Sequence, residues 1–457
     1  MTFAWVEADQ NTGSKNVPPK IVKSTWSWNS SNEGSILFSV KETSDGGYIA
    51  VGNARSAGTP GKPHGVYLIK FNKDGVKVWD KWWGDTKADG ISSIGYDVIE
   101  SDDGSYVLTG KIVPPSEHFD RLLVMKVDSK GALVWQKMIV SPLGSGHYGE
   151  CGFAIQKTPD GGYIVAGFNQ RNYEIPVGRE GSTFFPYVLK LDNNGNILWE
   201  KFFWEQNPPS GSLNSKGVYV FTDEKRVNRL SASSYSRDYE ARLVRAKTGG
   251  FFLAFTIELD IRGDNDMFRV LRLDENGNVI WEKSLHEEIG LEAFVAGISA
   301  TSDDGVAITG FTNTKSLKQR GEYYVGYLVK FDAAGNRQWK KYFGIGVSPT
   351  ATNIGINPNS IQQTADGGYI VSGYTGNMGL MIARFDADGK ILWDRIIEGK
   401  ENFSYCTRQT SDGGYITAGS KFRPRFKTYS AFAVLLKLDA AGNMSEKYTS
   451  GKIQIVE

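Results

Sequence analysis

GFAIQKTPDGGYIVAGF (Gly152–Phe168) and, across a loop, YVLKLDNNGNILWEKFF (Tyr187–Phe203) each read as a strand, a tight turn and a second strand. Asp-Gly-Gly and Asn-Gly supply the positive φ that short antiparallel turns require. Tyr, Ile and Val fill the flanks because aromatic and β-branched side chains suit a pleated, half-buried surface. The unit therefore predicts four antiparallel strands.

Its first half recurs as SDGGYIAVG (Ser44–Gly52), DDGSYVLTG (Asp102–Gly110), KTGGFFLAF (Lys247–Phe255), SDDGVAITG (Ser302–Gly310), ADGGYIVSG (Ala365–Gly373) and SDGGYITAG (Ser411–Gly419). Its second half recurs as LIKFNKDGVKVW (Leu68–Trp79), VMKVDSKGALVW (Val124–Trp135), VLRLDENGNVIW (Val270–Trp281), LVKFDAAGNRQW (Leu328–Trp339) and IARFDADGKILW (Ile382–Trp393), with LLKLDAAGNMSE (Leu435–Glu446) as a worn last copy. Seven such units predict an all-β, seven-bladed β-propeller. The turn position falls at 45, 103, 160, 248, 303, 366 and 412, so one interval, of 88 residues, exceeds the others. That excess lies within Trp204–Ala241 and reads as an insertion between the third and fourth units, with an eighth blade as the alternative. The propeller is expected over residues 20–451, with tails at 1–19 and 452–457.

The last copy lacks its Trp, while KIVKSTWSW (Lys20–Trp28) precedes the first unit. Ile21–Trp26 is therefore expected as the outer strand of the last blade, closing the ring. Trp79, Trp135, Trp199, Trp281, Trp339 and Trp393 are expected between blades rather than as a ring of sugar platforms. Two residues on, Lys81, Lys137, Lys201, Lys283, Lys341 and Arg395 are expected along outermost strands, where cations block edge pairing. Cys151 and Cys406 open the third and seventh units, too far apart to bridge.

The repeat resembles those of bacterial and archaeal secreted or lipoprotein β-propellers built from DGGYIVAG-type units, from about Ser35 to Ser450. That resemblance implies a secreted or cell-surface protein. The Asp192–Trp199 and Asp274–Trp281 segments also resemble the tryptophan-docking motif of quinoprotein propellers. The residues that hold a quinone there have no counterparts here, so no cofactor is carried over.

With 52 Lys and Arg against 51 Asp and Glu, the formal charge is +1, and no basic run suggests nucleic acid. No apolar stretch reaches the roughly 20 residues of a spanning helix, and no basic segment with an apolar core opens the chain. Phosphate-loop, His-Glu-x-x-His, Cys-x-x-Cys and Gly-x-Ser-x-Gly motifs are absent. A monomer is expected.

The turns within the two motifs are short and alike, whereas the other connections are long and all different. Repeat proteins place such variable connections on the binding face. All four histidines, His64, His118, His147 and His286, fall in them. His147, Tyr148 and Glu150, then Tyr239 and Glu240, then Glu287 and Glu288 precede three successive innermost strands. Together they could perform acid–base work on a glycan. Arg237, Asp238 and Arg242, with Arg423, Arg425 and Tyr429 of KFRPRFKTY (Lys421–Tyr429), are candidate ligand contacts. Asp260, Asp264 and Asp266 offer oxygen ligands for a calcium ion without the EF-hand spacing; no other cofactor is expected. The leading reading is a recognition propeller that binds a glycan or a protein at the channel mouth and catalyses nothing. The alternative is a polysaccharide lyase or glycoside hydrolase on the same face.

Overall fold

The structure is a computed structural model. It describes residues 25–30, 34–54, 64–85, 93–114, 120–140, 149–175, 179–203, 211–213, 219–221, 241–257, 267–285, 292–313, 325–345, 355–376, 379–399, 402–425 and 428–456. Seven antiparallel sheets, each with four blade strands, form a seven-bladed propeller. Within blade 1, Ser35–Glu42, Tyr48–Ala54, His64–Phe71 and Lys77–Asp85 pair in chain order from the axis outward. The innermost strands of blades 2 to 7 are Ile94–Glu100, Glu150–Lys157, Arg242–Arg245, Glu292–Ala300, Ile356–Gln363 and Phe403–Gln409. Six of the seven carry a register shift, so one extra residue is presented toward the axis.

The apolar core is divided into seven layers, one between each pair of neighbouring blades. The two recurring motifs meet in these layers. Trp79 packs on Tyr106 of the next blade at 6.0 Å, Trp135 on Tyr163 at 6.3 Å, Trp339 on Tyr369 at 5.7 Å and Trp393 on Tyr415 at 5.6 Å. Each Trp also lies against a turn glycine of that next blade. Gly195 has φ +77°, and a Cβ there would sit 2.9 Å from the Trp135 ring, so both conformation and space demand glycine. The cations two residues after each Trp do more than guard an edge. Lys201 Nζ donates to Asn278 Oδ1 at 2.6 Å, and Arg395 Nε donates to the Gly442 carbonyl at 2.9 Å, both across a blade interface.

A second column of cations was not singled out in the sequence. Lys70, Lys126, Arg272, Lys330, Arg384 and Lys437 are buried on the third strands, and Lys190 is half-buried at the same position. Lys70 pairs with Asp45 at 2.9 Å, Lys330 with Asp303 at 2.8 Å and Lys437 with Asp412 at 2.8 Å. Each pin thus ties the turn of the first motif to the strand of the second. Blade 4 has Thr248 in place of the turn Asp; there Arg272 bonds the Gly249 carbonyl at 2.7 Å and reaches Asp304 of blade 5 at 3.4 Å.

Trp26–Asn29 pairs antiparallel with Thr428–Leu438, setting Trp26 opposite Lys437. Trp79 stands opposite Lys70 and Trp135 opposite Lys126. Trp26 therefore occupies the seventh Trp position, 5.6 Å from Tyr48 of blade 1. The closing strand runs later than the expected Ile21–Trp26, and residues 21–24 lie outside the described residues. Because that slot is filled from the N-terminus, the C-terminal segment passes on along the rim. Asp394 of blade 6, 2 % exposed, accepts the Gly451, Lys452 and Ile453 N–H groups at 2.5, 2.9 and 3.1 Å. Ile453–Val456, read from sequence as a tail, then pairs with Arg337–Ile345 as a fifth strand on blade 5.

Two connections expected as loops are extended hairpins. Blade 3 pairs Tyr163–Ile175 with Arg179–Leu191, and blade 7 pairs Tyr415–Arg425 with Thr428–Leu438, against seven residues in most second strands. At 3.3 Å per residue, six extra residues carry the blade 3 hairpin about 20 Å farther. The 204–241 insertion adds Gly211–Leu213 and Tyr219–Phe221 to that hairpin, the latter parallel to Tyr173 and Glu174. Its described residues form no eighth blade. Both cysteines are free. No helix among the described residues is long and apolar enough to cross a membrane.

Candidate functional site

All seven innermost strands line one central channel. The extra residue at each register shift defines its upper level. Tyr405, Phe38, Tyr96 and Phe153, from blades 7, 1, 2 and 3, form a continuous arc with ring centroids 4.9, 5.3 and 4.8 Å apart. Phe403, Phe422 and Tyr374 extend it on the blade 7 side, at 6.0, 5.8 and 4.6 Å. All seven rings are half-buried. On blades 5 and 6 the same level holds Ala296 and Asn359, whereas Ala241 of blade 4 is buried in the layer between blades 3 and 4. At this level the aromatic side chains are thus confined to blades 7, 1, 2 and 3.

The next residue down each strand is Ser39, Asp97, Ala154, Arg242, Gly297, Ser360 and Cys406, going round from blade 1. Below it Lys41, Gln156 and Arg408 complete a polar constriction. Asp97 is 8 % exposed and heavily engaged. It accepts from Ser39 Oγ at 2.7 Å, from the Val98 N–H at 3.0 Å and from the Ile155 N–H at 3.2 Å. Lys41 Nζ stands 3.3 Å from it. Arg408 Nη1 donates to Ser360 Oγ and to the Thr407 carbonyl, both at 2.9 Å. Burial pushes the Arg242 guanidinium down to about 10; Asp97 counters the fall and Arg408 adds to it. Arg242 remains charged at neutral pH, and it shares the channel with both groups.

Of the candidate catalytic, ligand-contact and metal residues named from the sequence, the structure describes the side chains of Glu150 and Arg242. Arg242 enters the channel. Glu150 is buried at the start of its strand, where Oε1 accepts from Asn169 Nδ2 at 2.5 Å within the same blade, so it is a structural acceptor there. Next to it, burial pushes the Cys151 thiol well above its ordinary range. Burial also opposes the Lys111 charge, but the Asp120 ion pair at 2.8 Å outweighs this and holds the ammonium above its ordinary value. His147, Tyr148, Arg237, Asp238, Tyr239, Glu240, Glu287 and Glu288 lie outside the described residues, as do Asp260, Asp264 and Asp266. The backbone of Arg423, Arg425 and Tyr429 belongs to the blade 7 hairpin. Among the described residues no His, Cys, Asp and Glu group could hold a metal ion.

The channel residues Lys41, Asp97 and Arg408 and the aromatic arc escaped the sequence reading because they lie on strands rather than loops. One signal was available. At the position four residues before the turn Thr or Ser, or the Ala246 that replaces it in blade 4, the units carry Ser, Ala, Gly or Cys, and Asp97 and Arg242 break that pattern.

No family model matches the chain, and no curated protein matches it. Among solved structures the likenesses are distant. An α-L-arabinanase from Penicillium chrysogenum complexed with arabinobiose matches at 11% identity and a TM-score of 0.41, over 76% of this chain and 93% of that one. An α-L-arabinofuranosidase from Fusarium graminearum in complex with an iminosugar inhibitor matches at 11% and 0.41, over 74% and 92%. An acylaminoacyl peptidase from Pyrococcus horikoshii matches at 10% and 0.43, over 87% of this chain and 52% of that one. Likeness this distant bears on neither substrate nor reaction, and the propeller assignment rests on the blades themselves.

Proposed function

We propose that this chain is a secreted or cell-surface recognition propeller that takes a glycan at the mouth of its central channel. The supporting observation is the arc Tyr405–Phe38–Tyr96–Phe153, half-buried and facing Ala296 and Asn359 across the channel. Rigid aromatic faces beside polar groups suit the C–H faces and hydroxyls of sugars. Glycoside hydrolysis ordinarily needs two carboxyl groups about 5–10 Å apart. Among the described channel-lining residues Asp97 is the sole carboxylate, and Ser39, Lys41 and two backbone N–H groups already occupy it. That favours binding over hydrolysis.

A polysaccharide and oligosaccharide panel applied to the full chain tests this reading, with calorimetry for binding and a reducing-end assay for cleavage. Binding without cleavage is expected. Phe38→Ala and Tyr405→Ala should each weaken it roughly three- to tenfold, the worth of one aromatic contact. Failure to bind any glycan would overturn the proposal. Release of reducing ends or unsaturated products would replace it with the enzyme reading, whose first residues to mutate are His147, Tyr148, Tyr239, Glu240, Glu287 and Glu288.

A further inference from the structure

The tight turns of the two motifs gather on the face opposite the variable loops, and between blades 2 and 3 the repeat is broken there. A groove lies at that edge. Val134, Trp135 and the turn residues Asp128, Asn193 and Asn194 line it, with the Asp103–Lys126 ion pair, at 2.9 Å, also in its wall.

The first break concerns the indole. Trp79 donates its N–H to the Ser129 carbonyl of blade 2 at 3.1 Å, and Trp281 donates to the Ala333 carbonyl of blade 5 at 2.9 Å. Blade 3 has Asn193 at that turn position. Its Oδ1 accepts from Lys126 Nζ of blade 2 at 2.8 Å and from the Tyr163 hydroxyl at 2.9 Å. An ammonium can only donate, so the amide orientation is fixed and Nδ2 is left as an available donor. The Trp135 N–H makes no hydrogen bond to any described residue. The second break is in the turn of blade 2. Asp192, Asp274, Asp332 and Asp439 each accept a side-chain N–H from an Asn four residues on, at 2.8 to 3.2 Å. Blade 2 has Ala132 there. Asp128 Oδ1 still accepts the Lys130 and Ala132 N–H groups, at 2.9 and 2.8 Å, but Oδ2 has no partner among the described residues. Beside these groups stand the half-buried Trp135 ring and Val134, 55 % exposed.

The uncommitted groups discriminate between ligands. An anion would lie beside two carboxylates. A cation could use Asp128 and the indole face, but it has no use for the N–H donors of Trp135 and Asn193. A sugar hydroxyl donates to a carboxylate and accepts from an N–H at once, and the C–H face of a pyranose covers an indole and a valine. That class alone matches the donors, the acceptor and the apolar surface together.

We infer that the groove between blades 2 and 3 is a second saccharide site, on the face opposite the channel mouth, and that it takes one neutral sugar unit through Trp135, Asp128 Oδ2 and Asn193 Nδ2. It stands on the turn geometry and does not depend on the reading proposed above. One unit held on one side should bind at roughly millimolar affinity, so a polymer that offers many units is the suitable probe.

Affinity electrophoresis of the full chain in native gels containing soluble xylan, galactan, mannan or β-glucan reads such binding as retardation relative to a gel without polymer. At least one polymer should retard the parent, and a variant carrying both Phe38→Ala and Tyr405→Ala should keep part of that retardation. In that background Asp128→Asn should weaken binding about tenfold, since a hydrogen bond to a charged acceptor is lost. Its turn should survive, because Asn72 fills the same position in blade 1 and its Oδ1 accepts the equivalent N–H groups of Asp74 and Val76 at 3.0 and 2.9 Å. Val134→Arg, whose long side chain fills the groove, should abolish the residual retardation. Asp386→Asn, at the corresponding turn of blade 6, should leave it unchanged. Retardation abolished by the two mouth substitutions alone would overturn the site and leave the mouth reading intact, and residual retardation indifferent to Asp128→Asn and Val134→Arg would overturn it too. Retardation untouched by the mouth substitutions and lost with the groove substitutions would uphold the site and sink the mouth reading. No retardation by any polymer would overturn both.

Discussion

Replacing Trp26 with Ala should loosen the propeller at one seam. Trp26 lies between blades 7 and 1, with Tyr48 at 5.6 Å, Phe71 at 6.2 Å and the Gly75 turn against its ring. Cutting a fully buried Trp to Ala costs about 3–5 kcal/mol, and the half-buried Trp26 should cost about 2–3 kcal/mol. The consequence differs from that of any other Trp in the series. The strand carrying Trp135 is joined by a tight turn to its neighbour, whereas Trp26–Asn29 is held by four residue pairs with Val434–Lys437 and by its side chains. The lost energy should therefore appear as local opening of that ladder. At about 1.4 kcal/mol per factor of ten, hydrogen exchange at Val434–Lys437 should quicken roughly 30- to 150-fold in Trp26→Ala. Trp135→Ala should leave those amides unchanged while destabilising the interface of blades 2 and 3. Leu392→Ala, at a position 54 % exposed, should do neither. Unaltered protection at Val434–Lys437 in Trp26→Ala would refute the view that one ring secures the closing strand.

Asp394→Asn should release the C-terminal strand, because the buried carboxylate accepts three successive N–H groups. A loss of about 1.5–3 kcal/mol is expected, read as faster proteolysis after Ser450 and faster exchange at Ile453–Val456; an unchanged C-terminus would contradict it. Acid should weaken the turn pins. Burial raises the Asp45 carboxyl, but the Thr43 hydroxyl, the Lys70 ammonium and the Gly47 N–H together hold it at about 2, and Asp103 and Asp160 are held at about 2 by equivalent neighbours. A carboxyl depressed in the folded state stabilises above its unfolded value of 3.8 and loses that contribution as pH falls toward 2. Thermal midpoints should therefore drop between about pH 4 and pH 2, and less steeply in Lys70→Met; a midpoint independent of pH across that window would exclude the pins as a source of stability.

The repeat motifs carried the blades because each turn and strand signal is local: Asp-Gly-Gly names a turn wherever it falls, and Trp two positions before Lys names an outer strand. The Lys70 column stood in every quoted copy, yet its role is invisible locally, since the partner Asp45 lies 25 residues back. Trp26 shows the same limit from the other side. Its residue type matches the missing Trp of the last unit, but its register against Lys437 depends on a chain end meeting the opposite terminus. The long hairpins read as loops because FNQRNYEIPVGREGSTFFP has no strong turn motif and mixes polar with aromatic residues; cross-strand pairing, not propensity, holds it extended. The C-terminal strand joins blade 5 for a topological reason: its nominal slot in blade 7 was already filled.

The scaffold and the channel obey opposite rules. Side chains that hold the scaffold recur from unit to unit: Trp on the next blade's turn glycine and in most blades on its Tyr, cation on the turn Asp of its own blade, and on the lower face an interblade clasp in which Glu100 accepts from Ser44, Gln363 from Ser302 and Gln409 from Ala365. Those contacts recur because every interface poses the same packing problem. Around the axis the seven strands instead face one shared space, so a repeated large or charged residue would clash with its own copies. Only a broken pattern can build a site there. Phe38 and Tyr405 opposite Ala296, and Arg242 among Ser39, Ala154 and Gly297, are such breaks. Substituting Arg242 by the serine common at that level should therefore leave the interface contacts intact, with a thermal midpoint no lower than the parent's; a collapse of the ring would show that the guanidinium serves the fold instead.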